Sequence, residues 1–177
     1  SSMGRSGPRF KILGFTGIQY ALDHYSDAVC LAMSDSLDLT SLESLVGYNA
    51  RRAALTIIGR FTENMARFEL SPVDFSVLSV IHHNPGVTSR QLCLALNLLP
   101  PNMVVFLRTF EKRHLIKRSP HPTDGRAIGL SLTPEGTALM TEAEAVASVS
   151  DNDAVGTLTK AELATLRRLL MKIYQPK

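Results

Sequence analysis

The fold of this chain is decided by residues 87–133, VTSRQLCLALNLLPPNMVVFLRTFEKRHLIKRSPHPTDGRAIGLSLT. Thr88 followed by Gln91 three positions later is the capping-box pattern that begins a helix. The pair Pro100–Pro101 suits the first turn of a second helix, because the N–H that a proline lacks would have no intrahelical partner there. We therefore predict two short helices joined by a tight turn.

The second of these helices has two different faces. Met103, Leu107 and Phe110 recur at spacings of four and three, which predicts one buried face. The opposite face combines polar, basic and small apolar side chains. Its members are Asn102, Val105, Arg108, Thr109 and Lys112.

A basic hairpin is predicted to follow the two helices. Residues 115–118 form a short apolar and basic run, and Asp124-Gly125 follows in a loop that contains prolines. In residues 127–133, apolar side chains alternate with small or polar ones. This pattern is typical of a β-hairpin with a long tip. Two helices and a basic hairpin in this order have the layout of a winged helix-turn-helix, which inserts one helix into a DNA major groove.

Helical segments flank this module on both sides. Helical periodicity runs through residues 41–68, and Ser71, Thr133 and Thr159 are predicted N-caps of further helices. Residues 150–156 are predicted to be a polar linker. We predict a mostly α fold with a small antiparallel β-wing. It consists of a winged helix-turn-helix and a helical dimerisation domain. Its parts are an N-terminal extension (1–40), a dimerisation helix (41–70), a DNA-binding domain (71–133) and C-terminal dimerisation helices (134–177).

The charge of the chain is concentrated rather than large. The formal net charge is only +3, but six positive residues minus two acidic ones give a local +4 between positions 108 and 126. The positive residues are Arg108, Lys112, Arg113, Lys117, Arg118 and Arg126, and the acidic ones are Glu111 and Asp124. Such a footprint favours a polyanionic partner.

Other classes of site have weak support. Cys30 and Cys93 form no CxxC pattern, and no histidine pair has metal-binding spacing along a helix, so we expect no metal and no cofactor. The adjacent His82 and His83 are expected to point to opposite faces. Cys93 is expected to pack as a small apolar side chain. No nucleophile with a matching base can be identified, so we expect no enzyme.

The sequence also suggests where the protein is found. It contains no signal peptide and no apolar run long enough to span a bilayer, so we expect a cytoplasmic protein without a membrane partner. The small polar stretch SSMGRSGP at residues 1–8 resembles a vector remnant, and Met33 resembles a natural start. Part of the N-terminal extension is therefore expected to be vector-derived.

The ordered set of motifs resembles the MarR (multiple antibiotic resistance regulator) family of transcription factors. The resemblance covers about residues 45–175 and rests on FEKRHLIKR (110–118), PTDGR (122–126) and LSLTPEG (130–136). It implies a homodimeric transcriptional repressor that binds a pseudo-palindromic DNA operator. It also implies a pocket for a small lipophilic or aromatic effector, for which Tyr48, Phe61, Met65 and Phe75 are candidate lining residues.

The resemblance also assigns the DNA-binding residues. Arg126 is expected at the wing tip, where an arginine can enter a narrow minor groove, and Asp124 is expected to hold the wing in shape. The helix face differs from the family pattern in offering Pro101, Asn102 and valines, which favours A·T base pairs. The full predicted DNA-binding set is Thr88, Ser89, Arg90, Pro101, Asn102, Val105, Arg108, Thr109, Lys112, Arg118 and Arg126.

One alternative uses the same fold for a different partner. The apolar side chains Val104 and Val105 would allow the winged helix to dock another protein without reading DNA. Failure to bind duplex DNA at low salt, together with saturable protein association, would favour this alternative.

Overall fold

The computed structural model describes residues 37–120 and 127–175. Cys30, the predicted vector-derived N-terminus and the predicted wing-tip residues Asp124 and Arg126 lie outside these ranges. The elements are α1 (Thr40–Glu43), α2 (Val46–Met65), a 3₁₀ helix (Ala66–Phe68), α3 (Pro72–His83), α4 (Ser89–Leu96), α5 (Pro100–Lys112), β1 (Ile116–Pro120), β2 (Ile128–Leu132), α6 (Pro134–Ala154) and α7 (Lys160–Tyr174).

The chain divides into two compact units, Ser1–Leu55 and Thr56–Lys177. In the first unit the helical signal predicted from residue 41 onward is interrupted, because α1 ends at Glu43 and α2 begins at Val46. Asn49 bridges the break by donating from its side-chain amide to the carbonyl oxygens of Glu43 at 2.6 Å and Leu45 at 2.9 Å. The prediction of one uninterrupted helix there is wrong.

Local side-chain caps begin α3, α4, α6 and α7 of the second unit, as the sequence predicted. Ser71, Thr88 and Thr159 each form a complete capping box with the residue three positions later. Thr133 caps α6 by accepting a hydrogen bond from the backbone N–H of Gly136 at 3.0 Å. Each cap satisfies a backbone N–H that the helix leaves unpaired, which typically contributes about 1 kcal/mol.

The turn between α4 and α5 depends on a left-handed residue. Asn97 has a φ of 51° and ends α4; asparagine tolerates this conformation better than most residues. The two helices on either side are bent by 117° from each other. His114 ends the segment after α5 in the same way, with a φ of 55°.

The core of the second unit lies beneath α5. Met103, Leu107 and Phe110 are all buried, which confirms the predicted inner face. They belong to one apolar cluster with Leu78, Ile81, Leu92, Leu130 and Met140, which come from α3, α4, β2 and α6. Because every neighbouring element contributes to this cluster, the orientation of α5 is fixed by packing rather than by its own sequence.

The wing is a two-stranded antiparallel sheet, and its base is tied to the segment before α4. Ile116 pairs with Leu132 at one end of the sheet and Pro120 with Ile128 at the other. Leu130 also exchanges backbone hydrogen bonds outside the hairpin. Its carbonyl accepts from the N–H of Gly86 at 2.8 Å, and its N–H donates to the carbonyl of Val87 at 2.9 Å.

Helix α6 is longer than the sequence suggested. The segment predicted as a linker from residue 150 is helical as far as Ala154, so that prediction is wrong. Ser150 is only 1% exposed, and its hydroxyl accepts a hydrogen bond from Asn64 at 2.9 Å. This partner from α2 lets the helix bury a polar side chain that would otherwise favour a loop.

Helix α7 contributes no buried residue within the described part of the second unit. Five large apolar side chains in its second half are instead exposed. They are Leu169, Leu170, Met171, Ile173 and Tyr174. An exposed apolar surface of this kind usually contacts another molecule.

Among the described residues, no single helix is long and apolar enough to cross a membrane. Taken together, α4 and α5 would be long and apolar enough, but they are bent by 117° at the turn between them.

Candidate nucleic-acid interface

The outward face of α5 forms a continuous exposed surface, which we call the α5 surface. It consists of Pro101, Asn102, Val105, Arg108, Thr109 and Lys112, and all six residues are exposed. Val105 is 62% exposed, whereas Met103 on the opposite face is 1% exposed. The α5 surface therefore offers an amide, a methyl-bearing side chain and two cations to a partner, which are groups that can contact base edges and phosphates.

The start of α4 adds a smaller part to this surface. Ser89 and Arg90 are exposed in its first turn. Thr88, also predicted to bind DNA, is occupied by its capping role, since its hydroxyl both donates to the Gln91 side chain at 2.8 Å and accepts from the Gln91 N–H at 3.3 Å. Thr88 consequently has a structural function whatever else it contacts.

Arg118 is held by an acidic neighbour. The guanidinium forms a bidentate ion pair with Glu111 of α5, which links β1 to the helix. The hydrogen bond that Arg118 donates to Glu111 raises the pKa of Arg118 despite the opposing effect of burial. To contact a phosphate, the Arg118 guanidinium must bind it alongside Glu111 or break its ion pair with Glu111.

Arg113 is a structural residue rather than part of a basic surface. Its two terminal nitrogens donate to the carbonyl oxygens of Glu69 and Phe68, each at 2.8 Å. Those carbonyls lie at the end of the 3₁₀ helix, where Glu69 has a φ of 53° and no helical partner remains. Arg113 therefore does not add to the exposed basic surface as its sequence position suggested, because its side chain faces inward and is only 26% exposed.

The remaining cations of the module are free of partners within the described ranges. No hydrogen bond or ion pair to another described residue is formed by the side chains of Arg90, Arg108, Lys112 or Lys117, and all four are exposed. A phosphate could be bound by these side chains without first breaking an internal ion pair. Arg126 and Asp124, the predicted wing-tip pair, lie in the undescribed segment 121–126 and stay predictions.

The four predicted effector residues occupy different environments. Phe61 and Phe75 contact each other edge to face, with ring centroids 5.2 Å apart and an interplanar angle of 74°. Met65 is 0% exposed and part of the core, so it is not on an accessible surface. Tyr48 belongs to the first unit, where it lines an open hollow with Leu37 and other residues. The structure brings Phe61 and Phe75 together and leaves their pocket role a prediction.

A polar cluster on α3 and α6 was not expected from the sequence. His83 lies 2.9 Å from a carboxylate oxygen of Glu144, His82 lies 3.5 Å from the other, and Ser79 donates to the first at 2.9 Å. The expectation that the two histidines point to opposite faces is wrong, since their ring centroids are 4.8 Å apart. Burial raises the pKa of Glu144, but the hydrogen bonds from Ser79 and His83 outweigh it and lower that pKa overall.

Chain spacing gave little sign of this cluster. His82 and His83 follow Ser79 by three and four positions, which is compatible with one side of a helix. Their acidic partner, however, is 61 residues beyond His83. Cys93 is half-buried and packs against the core, in agreement with its expected role as a small apolar residue.

The chain can now be compared with known proteins. Residues 70–128 match the model of the MarR family. The structure of the transcriptional repressor CouR bound to a 23-mer DNA duplex is 30% identical, covers 80% of this chain and 100% of its own, and has a TM-score of 0.74. The chain belongs to the MarR family.

Two further MarR-type relatives agree. A proposed transcriptional regulatory protein for the hcr operon of Thauera aromatica is 29% identical over 147 residues, which are 81% of this chain and 89% of the relative. A MarR-family protein of Mycobacterium tuberculosis, solved in complex with salicylic acid, is 26% identical, covers 73% of this chain and 96% of its own, and has a TM-score of 0.59. This MarR-family chain is a transcriptional regulator, and its predicted winged helix-turn-helix fold is confirmed.

Proposed function

We propose that this MarR-family regulator is a homodimeric repressor that binds a pseudo-palindromic operator and leaves it when a small lipophilic or aromatic effector binds. Helix α5 enters the major groove and the wing follows the adjacent backbone. The α5 surface carries the proposal, because Asn102 and Val105 can contact base edges while Arg108 and Lys112 beside them have no ion-pair partner in the described part of the chain.

The dimer is supported by α7 and by the length of DNA that a relative binds. The exposed apolar side chains of α7 need a partner surface, and a second copy of the chain supplies one with two-fold symmetry. The 23-mer duplex bound to CouR is about two helical turns long, which accommodates two half-sites roughly 10 base pairs apart.

An aromatic effector is supported by two separate observations. The M. tuberculosis relative was solved with salicylic acid, an aromatic acid. In this chain the half-buried rings of Phe61 and Phe75 pack edge to face and would offer an aromatic ligand the same type of contact. Tyr48 belongs to the other unit and stays a prediction. The proposal also takes the protein to be cytoplasmic and without enzymatic activity.

The DNA-binding part of the proposal is tested with a matched pair of lysines. Lys112 lies on the α5 surface, whereas Lys160 is equally exposed at the start of α7, outside the winged helix. If Lys112 contacts a phosphate, Lys112→Ala lowers the slope of log affinity against log salt by about 0.9 and weakens binding to all sequences alike. Lys160→Ala leaves the slope unchanged. Equal slopes for wild type and Lys112→Ala in fluorescence anisotropy would remove Lys112 from the interface.

A second candidate function rests on the apolar residues near the recognition helix. Leu94, Leu99 and Val105 are 75%, 68% and 62% exposed, which is unusual for large apolar side chains. A protein partner could dock on them in place of DNA. Saturable binding of a protein, combined with no duplex binding at low salt, would favour this function over the first.

A further inference from the structure

We propose that His82, His83 and Glu144 form a binding site for one divalent transition-metal ion of the zinc type. The inference does not depend on the proposed operator or effector. Two of the residues end α3 and the third lies in the middle of α6, so the site joins two helices that are distant in sequence. One ligand atom from each residue lies within 4.8 Å of the other two.

The spacing of the ligand atoms is close to that of a zinc site. Zinc binds nitrogen and oxygen ligands at about 2.0–2.1 Å in a tetrahedron, whose edges are then about 3.3 Å. The distances from the histidine nitrogens to Glu144 are of similar size, 2.9 Å from His83 Nε2 to Oε1 and 3.5 Å from His82 Nδ1 to Oε2. They involve the two different carboxylate oxygens, so rotation of the side chains would have to accompany metal binding.

His82 supplies independent support. Its Nδ1 atom is buried and forms no hydrogen bond among the described residues, because the nearby Glu144 oxygen is not in hydrogen-bond geometry. A buried polar atom without a partner is rare and commonly marks a bound water or ion. A metal ion between the two histidines would satisfy this nitrogen directly.

The surroundings suit a metal ligand as well. Ser79 donates a hydrogen bond to Glu144 at 2.9 Å and so orients the carboxylate, as residues behind metal ligands commonly do. The side chain of His83 is 63% exposed, whereas those of His82 and Glu144 are 23% and 26% exposed. An ion therefore has access from solvent, and water can complete its coordination. Two imidazoles and one carboxylate favour Zn²⁺, Co²⁺ or Ni²⁺ over Mg²⁺ and Ca²⁺.

Metal binding would stabilise the packing of α3 against α6. An ion that binds only the folded chain raises its thermal midpoint in proportion to the logarithm of metal concentration above the dissociation constant. A chain with the site removed should show no such rise.

The test uses the full chain without an affinity tag, stripped of metal by a chelator. Co²⁺ is titrated while its visible absorption is recorded, and Zn²⁺ is then added as a competitor. We expect one Co²⁺ per chain, displaced by Zn²⁺. His83→Asn and Glu144→Gln should weaken binding at least a hundredfold, and Ser79→Ala, which only misorients a ligand, about 10- to 100-fold.

The control is His114→Asn, because His114 is an exposed histidine outside the cluster and asparagine tolerates its left-handed backbone. This variant should bind Co²⁺ like the wild type. Because His83 is exposed, His83→Asn is expected to remain folded, which circular dichroism checks. Wild-type binding by both His83→Asn and Glu144→Gln, or no absorption change in the wild-type chain, would overturn the proposal.

Discussion

Replacing Arg113 by alanine should destabilise the fold while leaving its DNA-binding surface intact. The variant leaves the carbonyls of Phe68 and Glu69 without the donors that now lie 2.8 Å away. The hydrogen bond to Phe68 is partly buried and has a charged donor, so its contribution to stability is about 1.5–3 kcal/mol. The bond to Glu69 is exposed and is worth about 0.5–1.5 kcal/mol. We therefore expect a loss of about 2–4 kcal/mol in the free energy of unfolding.

Urea unfolding at one fixed chain concentration measures this loss, since a dimer's stability depends on concentration. Arg113→Lys keeps the charge but can replace only part of the paired hydrogen bonding, so its loss should be intermediate. Arg108→Ala is the matched control, because Arg108 is exposed and has no described partner, and its loss should stay below about 0.5 kcal/mol. A loss for Arg113→Ala as small as that of the control would refute this reasoning.

Two further predictions concern stability. A Cβ at Gly136 would lie 2.0 Å from the carbonyl oxygen of Leu115, so Gly136→Ala should lower the free energy of unfolding by more than about 3 kcal/mol. Gly59 has open space around it, so Gly59→Ala should instead stabilise α2 by about 0.5–1 kcal/mol. The same urea assay measures both changes. Hydrogen bonds from Thr159 lower the pKa of Glu162 below 4.5, so the cap's contribution is present above that pH and is lost as the pH falls through the lowered pKa. Glu162→Gln should flatten this acid-side change in helicity by circular dichroism; an unchanged profile would contradict the assignment.

The parts of the fold that were predicted correctly depend on interactions between near neighbours. Ser71, Thr88 and Thr159 find their partners three residues away, so the sequence alone contains both halves of each cap. The buried face of α5 follows in the same way from apolar spacing within a single helix. Predictions of this kind need no knowledge of how the elements pack.

Two of the incorrect interpretations, those for residues 150–154 and for Arg113, depend on partners far away in the chain. Ser150 is helical because Asn64 satisfies its hydroxyl, and those residues are 86 positions apart. Arg113 has an internal role because its acceptors, the carbonyls of Glu69 and Phe68, lie 44 and 45 positions earlier. Charge counting assigned Arg113 to the surface, since a sequence window cannot show whether a cation already has an internal partner.

The same limit applies to the candidate sites. Exposure of the α5 surface could be predicted from helical periodicity, which is local. The cluster around Glu144 could not, because it requires α3 to meet α6.

The most direct test of the central claim is binding of the purified wild-type chain to the DNA upstream of its own gene, measured at physiological salt with excess non-specific competitor DNA. We predict a saturable complex of two chains per duplex that weakens steeply with salt and is released by aromatic acids such as salicylic acid. Absent or salt-insensitive binding, with chains that nevertheless fold and associate, would contradict the claim and favour a protein-docking role for the winged helix.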